Sequence, residues 1–175
     1  MSLYSFKGIK PQFGSGVFIA PSADIIGKVI LGENVNIWYQ CVARGDVNWI
    51  RVGENTNVQD LTMLHVTKDF ELTIGSGVSI GHSVTLHGCT IGNNCLIGMG
   101  AVVLDGAVIG ENSVVAAGTL IPPGKCFPEG SMIMGNPAVL KRQLTKEERE
   151  LFGNHYLSYV SYKDEYLDSN LIKLI

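Results

Sequence analysis

Aliphatic residues recur at every sixth position between Ile19 and Ile121, which is not the period of an α-helix or of a plain strand. Such a period is typical of a solenoid in which a short strand and a tight corner alternate three times per turn. Each strand then offers one aliphatic side chain to the interior. The pattern therefore predicts an all-β fold, a three-sided parallel β-helix over residues 1–140. The inward positions are Ile19, Ile25, Leu31, Ile37, Ala43, Val52, Val58, Leu64, Ile74, Ile80, Leu86, Ile91, Ile97, Val103, Ile109, Val115 and Ile121.

The period is broken in three places, and these breaks predict where irregular backbone leaves the solenoid. Three extra residues fall near Asp46–Asn48 and predict a bulge. Four extra residues predict a loop through Thr67–Glu71, and one residue is missing at His87–Thr90. Since functional residues gather where irregular segments leave a rigid scaffold, we expect a site near these breaks.

The pattern changes in residues 141–175, which we interpret as a C-terminal α-helix packed on the coil. Thr145 and Glu148 have the spacing of a capping box, so the helix is expected to begin there. Apolar and aromatic residues then recur at steps of three and four as far as Leu167. Gly153 weakens the helix locally, by about 1 kcal/mol.

Composition and charge exclude some classes of protein. Only 17% of residues are charged and the net charge is −3, with no stripe of Lys and Arg, so nucleic acid is not an expected partner. No secretory signal and no apolar run long enough to span a bilayer is found, which favours a cytoplasmic protein. None of the cysteines forms a CxxC pair, and we interpret all four as small buried residues of the coil: Cys41, Cys89, Cys95 and Cys126.

Two histidines of the coil are predicted to lie side by side. Leu64 and Leu86 occupy the same inward column on successive turns, and His65 and His87 directly follow them. Alternation along a strand makes both imidazoles point outward from the same side on adjacent turns. Two such imidazoles can converge on one metal ion.

A third histidine, His82, lies near a corner on the preceding side of the coil. It follows Ile80 by two residues and is not expected to reach the other two within one chain. A neighbouring subunit could present it across an interface. Three neutral histidines and an open position are typical of catalytic zinc, which lowers the pKa of bound water toward ~7. We interpret His155, on the C-terminal helix, as a surface or interface residue.

Other polar residues share these outward positions. Arg44 stands one turn before His65, and Asp60 one turn before His82, so Arg44 and Asp60 could pair within or between subunits. Gln59 is a neutral donor and acceptor near the expected metal. We favour a structural role at an interface for the three charged residues: Arg44, Asp46 and Asp60.

Several strings of this chain, taken in order, resemble the gamma-class carbonic anhydrase-like family over residues 10–168. They are Arg44-Gly45-Asp46, Asn57-Val58-Gln59-Asp60, Leu64-His65-Val66-Thr67, Gly81-His82-Ser83-Val84-Thr85-Leu86-His87-Gly88-Cys89 and Gly98-Met99-Gly100. The resemblance implies a left-handed β-helix that assembles as a homotrimer with metal sites at its three interfaces. Zinc is the metal implied, with iron or cobalt as alternatives.

The resemblance also implies roles for individual residues. His65 and His87 would come from one subunit and His82 from its neighbour. Gln59 matches the family's residue beside the metal-bound water, and Tyr159 matches a tyrosine near the metal. Interface pairing and support of the site are implied for four further positions: Arg44, Asp46, Asn57 and Asp60.

Two departures from the family concern proton transfer. The archaeal prototype has a glutamate after its Arg-Gly-Asp string, where this chain has Val47. The prototype also has a longer acidic loop after the first ligand, where this chain has only Thr67–Glu71. Asp69 or Glu71 could substitute for the missing shuttle, and without one the hydration of carbon dioxide is expected to be slow.

Three functions are therefore compared. The first is a zinc-dependent carbonic anhydrase, a lyase in which metal-bound hydroxide converts carbon dioxide to bicarbonate. The second is a hexapeptide-repeat acyltransferase or an acyl-CoA thioesterase, although an acyltransferase has no need of three clustered histidines. The third is a metal-binding trimer with little or no hydration activity.

Overall fold

The computed structural model describes residues 2–168 and confirms the predicted solenoid, a left-handed parallel β-helix. Residues 169–175, the end of the predicted C-terminal unit, lie outside the described residues. The strands are β1 (Ser2–Tyr4), β2 (Gln12–Phe13), β3 (Phe18–Ile19), β4 (Asp24–Leu31), β5 (Asn36–Ile37), β6 (Val42–Val52), β7 (Asn57–Val58), β8 (Met63–His65), β9 (Leu72–Ile74), β10 (Ser79–Ile80), β11 (Thr85–His87), β12 (Thr90–Ile91), β13 (Leu96–Ile97), β14 (Val102–Val103), β15 (Val108–Ile109), β16 (Val114–Val115), β17 (Leu120–Ile121), β18 (Cys126–Phe127), β19 (Ser131–Gly135) and β20 (Ala138–Gln143).

The strands stack into three faces, which we number in chain order. Face 1 consists of β3, β5, β7, β10, β13, β16 and β19, and β20 turns back antiparallel to β19. Face 2 carries β8, β11, β14 and β17, and face 3 carries β9, β12, β15 and β18. The first halves of β4 and β6 belong to face 2 and their second halves to face 3. We call the corner between faces 1 and 2 corner A, and the corner between faces 2 and 3 corner B.

The interior is the apolar column that the sequence predicts. All the inward positions are buried except Ile19, which is partly buried at the first turn. A second buried position lies two residues before each inward one from Ile25 onward, and except at Leu72 it takes small or β-branched side chains. It holds Cys41, Cys89 and Cys95, as expected, but Cys126 is exposed because it points outward from β18, next to the inward Phe127.

The corners depend on backbone in the left-handed region. The residue three positions before many of the inward ones has φ near +60°, and asparagine or glycine occupies most of these positions. Leu61, at corner A, is an exception with φ of 65°. The inserted residues near Asp46 form the predicted irregularity within a continuous strand. β6 runs on through corner B, and its register with β4 shifts there, since Gly27 pairs with Gly45 but Val29 pairs with Ile50.

The C-terminal segment forms two helices rather than one unbroken helix. Helix α1 (Lys146–Gly153) begins with the predicted capping box, and α2 (Tyr156–Leu167) packs on face 1. The break follows Gly153, which is buried against Asn94 at a corner of the coil. Among the described residues, neither helix is long and apolar enough to cross a membrane.

Candidate metal centre

Face 2 brings His65 and His87 together beside corner B. Strands β6, β8 and β11 are in register, so that Arg44, His65 and His87 form one outward row on successive turns. His65 Nδ1 lies 3.0 Å from His87 Nε2. Two nitrogens bound tetrahedrally to one zinc ion are about 3.3 Å apart, so the observed spacing is close to that of two ligands of one metal.

An aspartate holds the outer nitrogen of each ring. His65 Nε2 lies 3.2 Å from Asp46 Oδ1, and His87 Nδ1 lies 2.6 Å from Asp105 Oδ1. A carboxylate only accepts, so each of these nitrogens carries the proton of its neutral ring. The two nitrogens that face each other then both present lone pairs. Because facing lone pairs repel, the gap between His65 and His87 calls for a proton or a metal cation.

The surroundings of His65 favour its neutral form. Burial lowers the pKa of His65, and the Arg44 guanidinium lowers it further, although Asp46 opposes both. Burial would raise the pKa of Asp46, but hydrogen bonds with Arg44 and His65 outweigh burial and lower it. Asp46 is therefore an ionised carboxylate and His65 a neutral imidazole, which is the form of histidine that binds metal.

His82 lies apart at corner A, but its surroundings repeat the same arrangement. His82 Nδ1 lies 2.9 Å from Asp60 Oδ2, so Nδ1 donates and Nε2 keeps its lone pair. Both side chains are more than one-third exposed. Within residues 2–168 of one subunit, no group of three side chains is placed to hold a metal. The chain therefore has two separate clusters of histidine and aspartate, one at each corner, which we call the candidate half-sites.

Three comparisons identify relatives of this chain. The profile described as bacterial transferase hexapeptide (six repeats) matches residues 88–123. A protein of Arabidopsis thaliana named gamma carbonic anhydrase 3, mitochondrial, is 48% identical over 91% of this chain and 64% of its own length. A protein of Methanocaldococcus jannaschii named probable carbonic anhydrase is 43% identical over 87% of this chain and 96% of its own length. The chain belongs to the gamma-class carbonic anhydrase-like family.

A solved structure agrees with this assignment. The crystal structure of a hexapeptide transferase family protein from Anaplasma phagocytophilum superposes with a TM-score of 0.90 at 43% identity, over 94% of this chain and 98% of that one. Because this neighbour is named a transferase, the fold alone does not distinguish a carbonic anhydrase from an acyltransferase. The chemistry has to be argued from the half-sites.

In this gamma-class family member, a hydrogen-bonded row on face 1 orients Gln59. Asn57 Nδ2 donates to Ser79 Oγ at 2.8 Å and faces the Val78 carbonyl oxygen at 3.4 Å, which fixes the Asn57 amide. Asn57 Oδ1 then accepts from Gln59 Nε2 at 3.0 Å. The Gln59 side chain therefore turns its carbonyl oxygen away from this row. His155 is exposed, and its Nδ1 lies 3.3 Å from Ser79 Oγ at the far end of the row.

Tyr159 lies on the His82 side of the subunit and not beside His65 and His87. It packs edge-on against Trp38, with 5.8 Å between ring centroids, and lines a groove shared with Asp60. Burial raises the pKa of Tyr159, and the nearby Asp60 charge raises it further. Tyr159 therefore stays a neutral hydroxyl at physiological pH.

Two aspartate pairings differ from the sequence analysis, and one residue was missed. Within the chain Arg44 pairs with Asp46 and Asp60 pairs with His82, so Arg44 and Asp60 do not pair with each other in one chain. Their pairing between subunits stays a prediction. Asp105 was not identified, although it lies on the next turn of the coil, 18 residues after His87 and one residue beyond the 17-residue register that pairs β11 with β14. That spacing was the only signal that could have found it.

Proposed function

We propose that this chain is a zinc-dependent carbonic anhydrase of the gamma class that interconverts carbon dioxide and bicarbonate. The observation that carries the proposal is shared by all three histidines. His65, His82 and His87 each have one ring nitrogen on an aspartate and a lone pair on the other, as in the carboxylate–histidine–metal arrangement, and the lone pairs of His65 and His87 face each other. The names of the relatives, gamma carbonic anhydrase and probable carbonic anhydrase, support the same chemistry.

The proposal requires a homotrimer in which corner B of one subunit meets corner A of the next. His65 and His87 would then share a metal with His82 of a neighbouring copy. Exposed apolar side chains at corner A and on face 2 support contact with a second copy. Leu61, Met63 and Met99 are 56%, 37% and 58% exposed.

When bound, zinc would lower the pKa of a water ligand to about 7 and so supply hydroxide at neutral pH. The chain's own residues would hold and orient the reactants. The free Gln59 carbonyl oxygen can accept a hydrogen bond from the attacking hydroxyl, and Tyr159 can donate one from the groove wall. Asp46, Asp60 and Asp105 keep the three rings in the orientation and tautomer that bind the metal.

Proton export is the weak step of the proposed reaction. Val47 cannot titrate, and Glu71 is held on face 3 by Arg51 at 3.6 Å and Thr73 at 3.3 Å. Glu71 is therefore turned away from the pair of histidines, and Asp69 is the remaining acid of the loop. We expect slower turnover than in a family member with both shuttle glutamates.

Metal analysis and stopped-flow carbon dioxide hydration test the proposal. Protein purified without oxygen should contain about one metal ion per subunit, and zinc-loaded protein should hydrate carbon dioxide. His82→Ala should lose both. His155→Ala, which removes a histidine without an aspartate partner, should keep its metal. Equal hydration rates for His82→Ala and the unmodified chain would refute the proposal.

An acyltransferase or acyl-CoA thioesterase is the second candidate, favoured by the name of the structural neighbour. Saturable acetyl-CoA binding by protein that holds no metal would support the transferase. A trimer that holds metal without hydration activity would support a binding role.

A cytoplasmic location remains part of the proposal, and the four free thiols fit a reducing compartment.

A further inference from the structure

A pocket of about 370 Å³ opens at corner B, beside the first half-site. Three lysines from three separate segments line it: Lys7, Lys28 and Lys68. The sequence shows no cluster of basic residues, because these lysines are far apart along the chain and only the fold brings them together. Asp46, the aspartate bonded to His65, forms part of the same wall.

The lysines of this pocket are not neutralised. Among the described residues 2–168, none of them forms an ion pair, and the charge of Asp46 is already matched by Arg44. The pocket is therefore positive in a chain whose net charge is −3. A concave positive wall concentrates anions, since the low-dielectric protein focuses its field.

The other lining residues are apolar: Phe6, Ile9 and Val47. A pocket with apolar walls and a few convergent charged groups is typical of a site for a small organic molecule. Carbon dioxide has no charge to meet three lysines. Bicarbonate has no apolar body to contact Phe6 and Val47.

The backbone that carries the lysines is held in place, so the pocket exists before any ligand binds. Lys7 lies in a tight turn closed by two hydrogen bonds between Phe6 and Ile9, of 2.9 and 3.0 Å. The Lys68 carbonyl accepts from Asn48 Nδ2 at 3.2 Å. At Lys28 the strands approach so closely that a Cβ on Gly45 would lie 2.4 Å from the Lys28 carbonyl oxygen. A preformed pocket loses little entropy when it binds.

We propose that this pocket binds an organic anion, a carboxylate or phosphate carried on an apolar body, next to the candidate metal centre. One consequence of the proposal depends on the proposed metal centre. Because Asp46 belongs to both the pocket and that centre, the charged group of the ligand would lie near His65. Such a ligand would be a substrate or regulator other than carbon dioxide. Binding itself requires no metal.

Isothermal titration calorimetry on the full chain tests this inference with defined probes. Phenyl phosphate and benzoate represent the two sources of the anion, and inorganic phosphate and benzyl alcohol carry only the charge or only the apolar body. We expect saturable binding of phenyl phosphate, benzoate or both, at least tenfold tighter than that of either partial probe. The probe that binds more tightly identifies the anion.

Charge-neutral variants locate the binding. Replacing all three lysines by glutamine, K7Q/K28Q/K68Q, should weaken binding at least tenfold. Lys125→Gln, which removes an exposed lysine outside the pocket, should leave it unchanged. Absence of saturable binding, or equal binding by the triple variant, would overturn the inference. Binding should persist in His82→Ala, so loss of the metal site and loss of the anion site are separate results.

Discussion

At the scale of single residues, the candidate centre depends on aspartates as much as on histidines. Asp105 Oδ1 accepts a hydrogen bond from His87 Nδ1 at 2.6 Å, which directs His87 Nε2 toward His65. A ring without this partner can rotate or adopt the other tautomer, and either change removes a lone pair from the centre. Asp105 is therefore a positioning residue for His87, the proposed metal ligand, and does not itself bind the metal in this proposal.

Asp105→Ala should lower zinc affinity by about 10- to 100-fold, because the His87 ring loses its orientation. Asp105→Asn should restore part of the affinity, since its side-chain oxygen can still accept from Nδ1. Competition with a zinc chelator measures the affinity, and nitrogen NMR of labelled histidine measures the His87 tautomer. Unchanged affinity in Asp105→Ala, with the same His87 tautomer, would show that this contact does not position the ligand.

The cysteines give a second residue-scale prediction, because burial separates them into two kinds. Burial raises the pKa of the Cys41, Cys89 and Cys95 thiols to about 12, so almost no thiolate forms at neutral pH. Cys126 is exposed. A thiol reagent such as DTNB should modify only Cys126 in the folded protein, and all four cysteines once urea unfolds it. Any reaction of folded Cys126→Ser would contradict this assignment.

At the scale of elements, α1 is held to the coil by charge at its first turn. Hydrogen bonds from Arg142, and then from the Thr145 backbone, lower the pKa of Glu148 from 4.5 to about 2. The folded state thus binds the ionised form more strongly than the unfolded state does. This stabilisation is present above about pH 4.5 and is lost as the pH falls toward 2.

Glu148→Gln should therefore lower the free energy of unfolding at pH 7, and the difference from the unmodified chain should vanish toward pH 2. Denaturant titrations followed by circular dichroism at several pH values measure it. Glu150→Gln is the matched control, because its Lys146 partner is 3.9 Å away and both side chains are exposed. A deficit that is the same at pH 7 and pH 3 would show that Glu148 does not act through its charge.

The elements also show which parts of this structure follow from sequence. The six-residue period locates the strands from β3 to β17, because every turn of the coil places inward side chains in the same apolar column. It does not locate the strands before and after this range. The insertion near Asp46 is visible in the sequence, but the continuation of β6 through corner B is not. Inserted residues can leave a strand or extend it, and the choice depends on pairing with β4.

At the scale of the whole molecule, stacking predicts contacts within a column and fails for contacts around a corner. His65 and His87 were paired from register alone, and the structure places their nitrogens 3.0 Å apart. Asp60 and His82 also share a column, one turn apart, but the bond between them depends on side-chain rotamers at corner A, which a repeat does not specify. The basic pocket joins three segments distant in sequence, so no local pattern announces it.

Assembly is the last property that the half-sites predict. In the proposed centre corner A supplies His82 and corner B supplies His65 and His87, so a complete centre would need two copies of the chain. A subunit with His65→Ala still offers His82, and a subunit with His82→Ala still offers His65 and His87. In the proposed trimer, each variant alone would leave every centre without one of its ligands.

Mixing the two variants should restore metal sites that neither has alone. After equal amounts are unfolded together and refolded, about a quarter of the interfaces join an intact pair to an intact His82 in a cyclic trimer. Zinc content and hydration rate should therefore return to about a quarter of the values of the unmodified chain. Separately refolded variants, mixed afterwards, are the control and should stay inactive. If all three ligands came from one subunit, co-refolding would restore nothing, because no subunit in the mixture carries all three histidines.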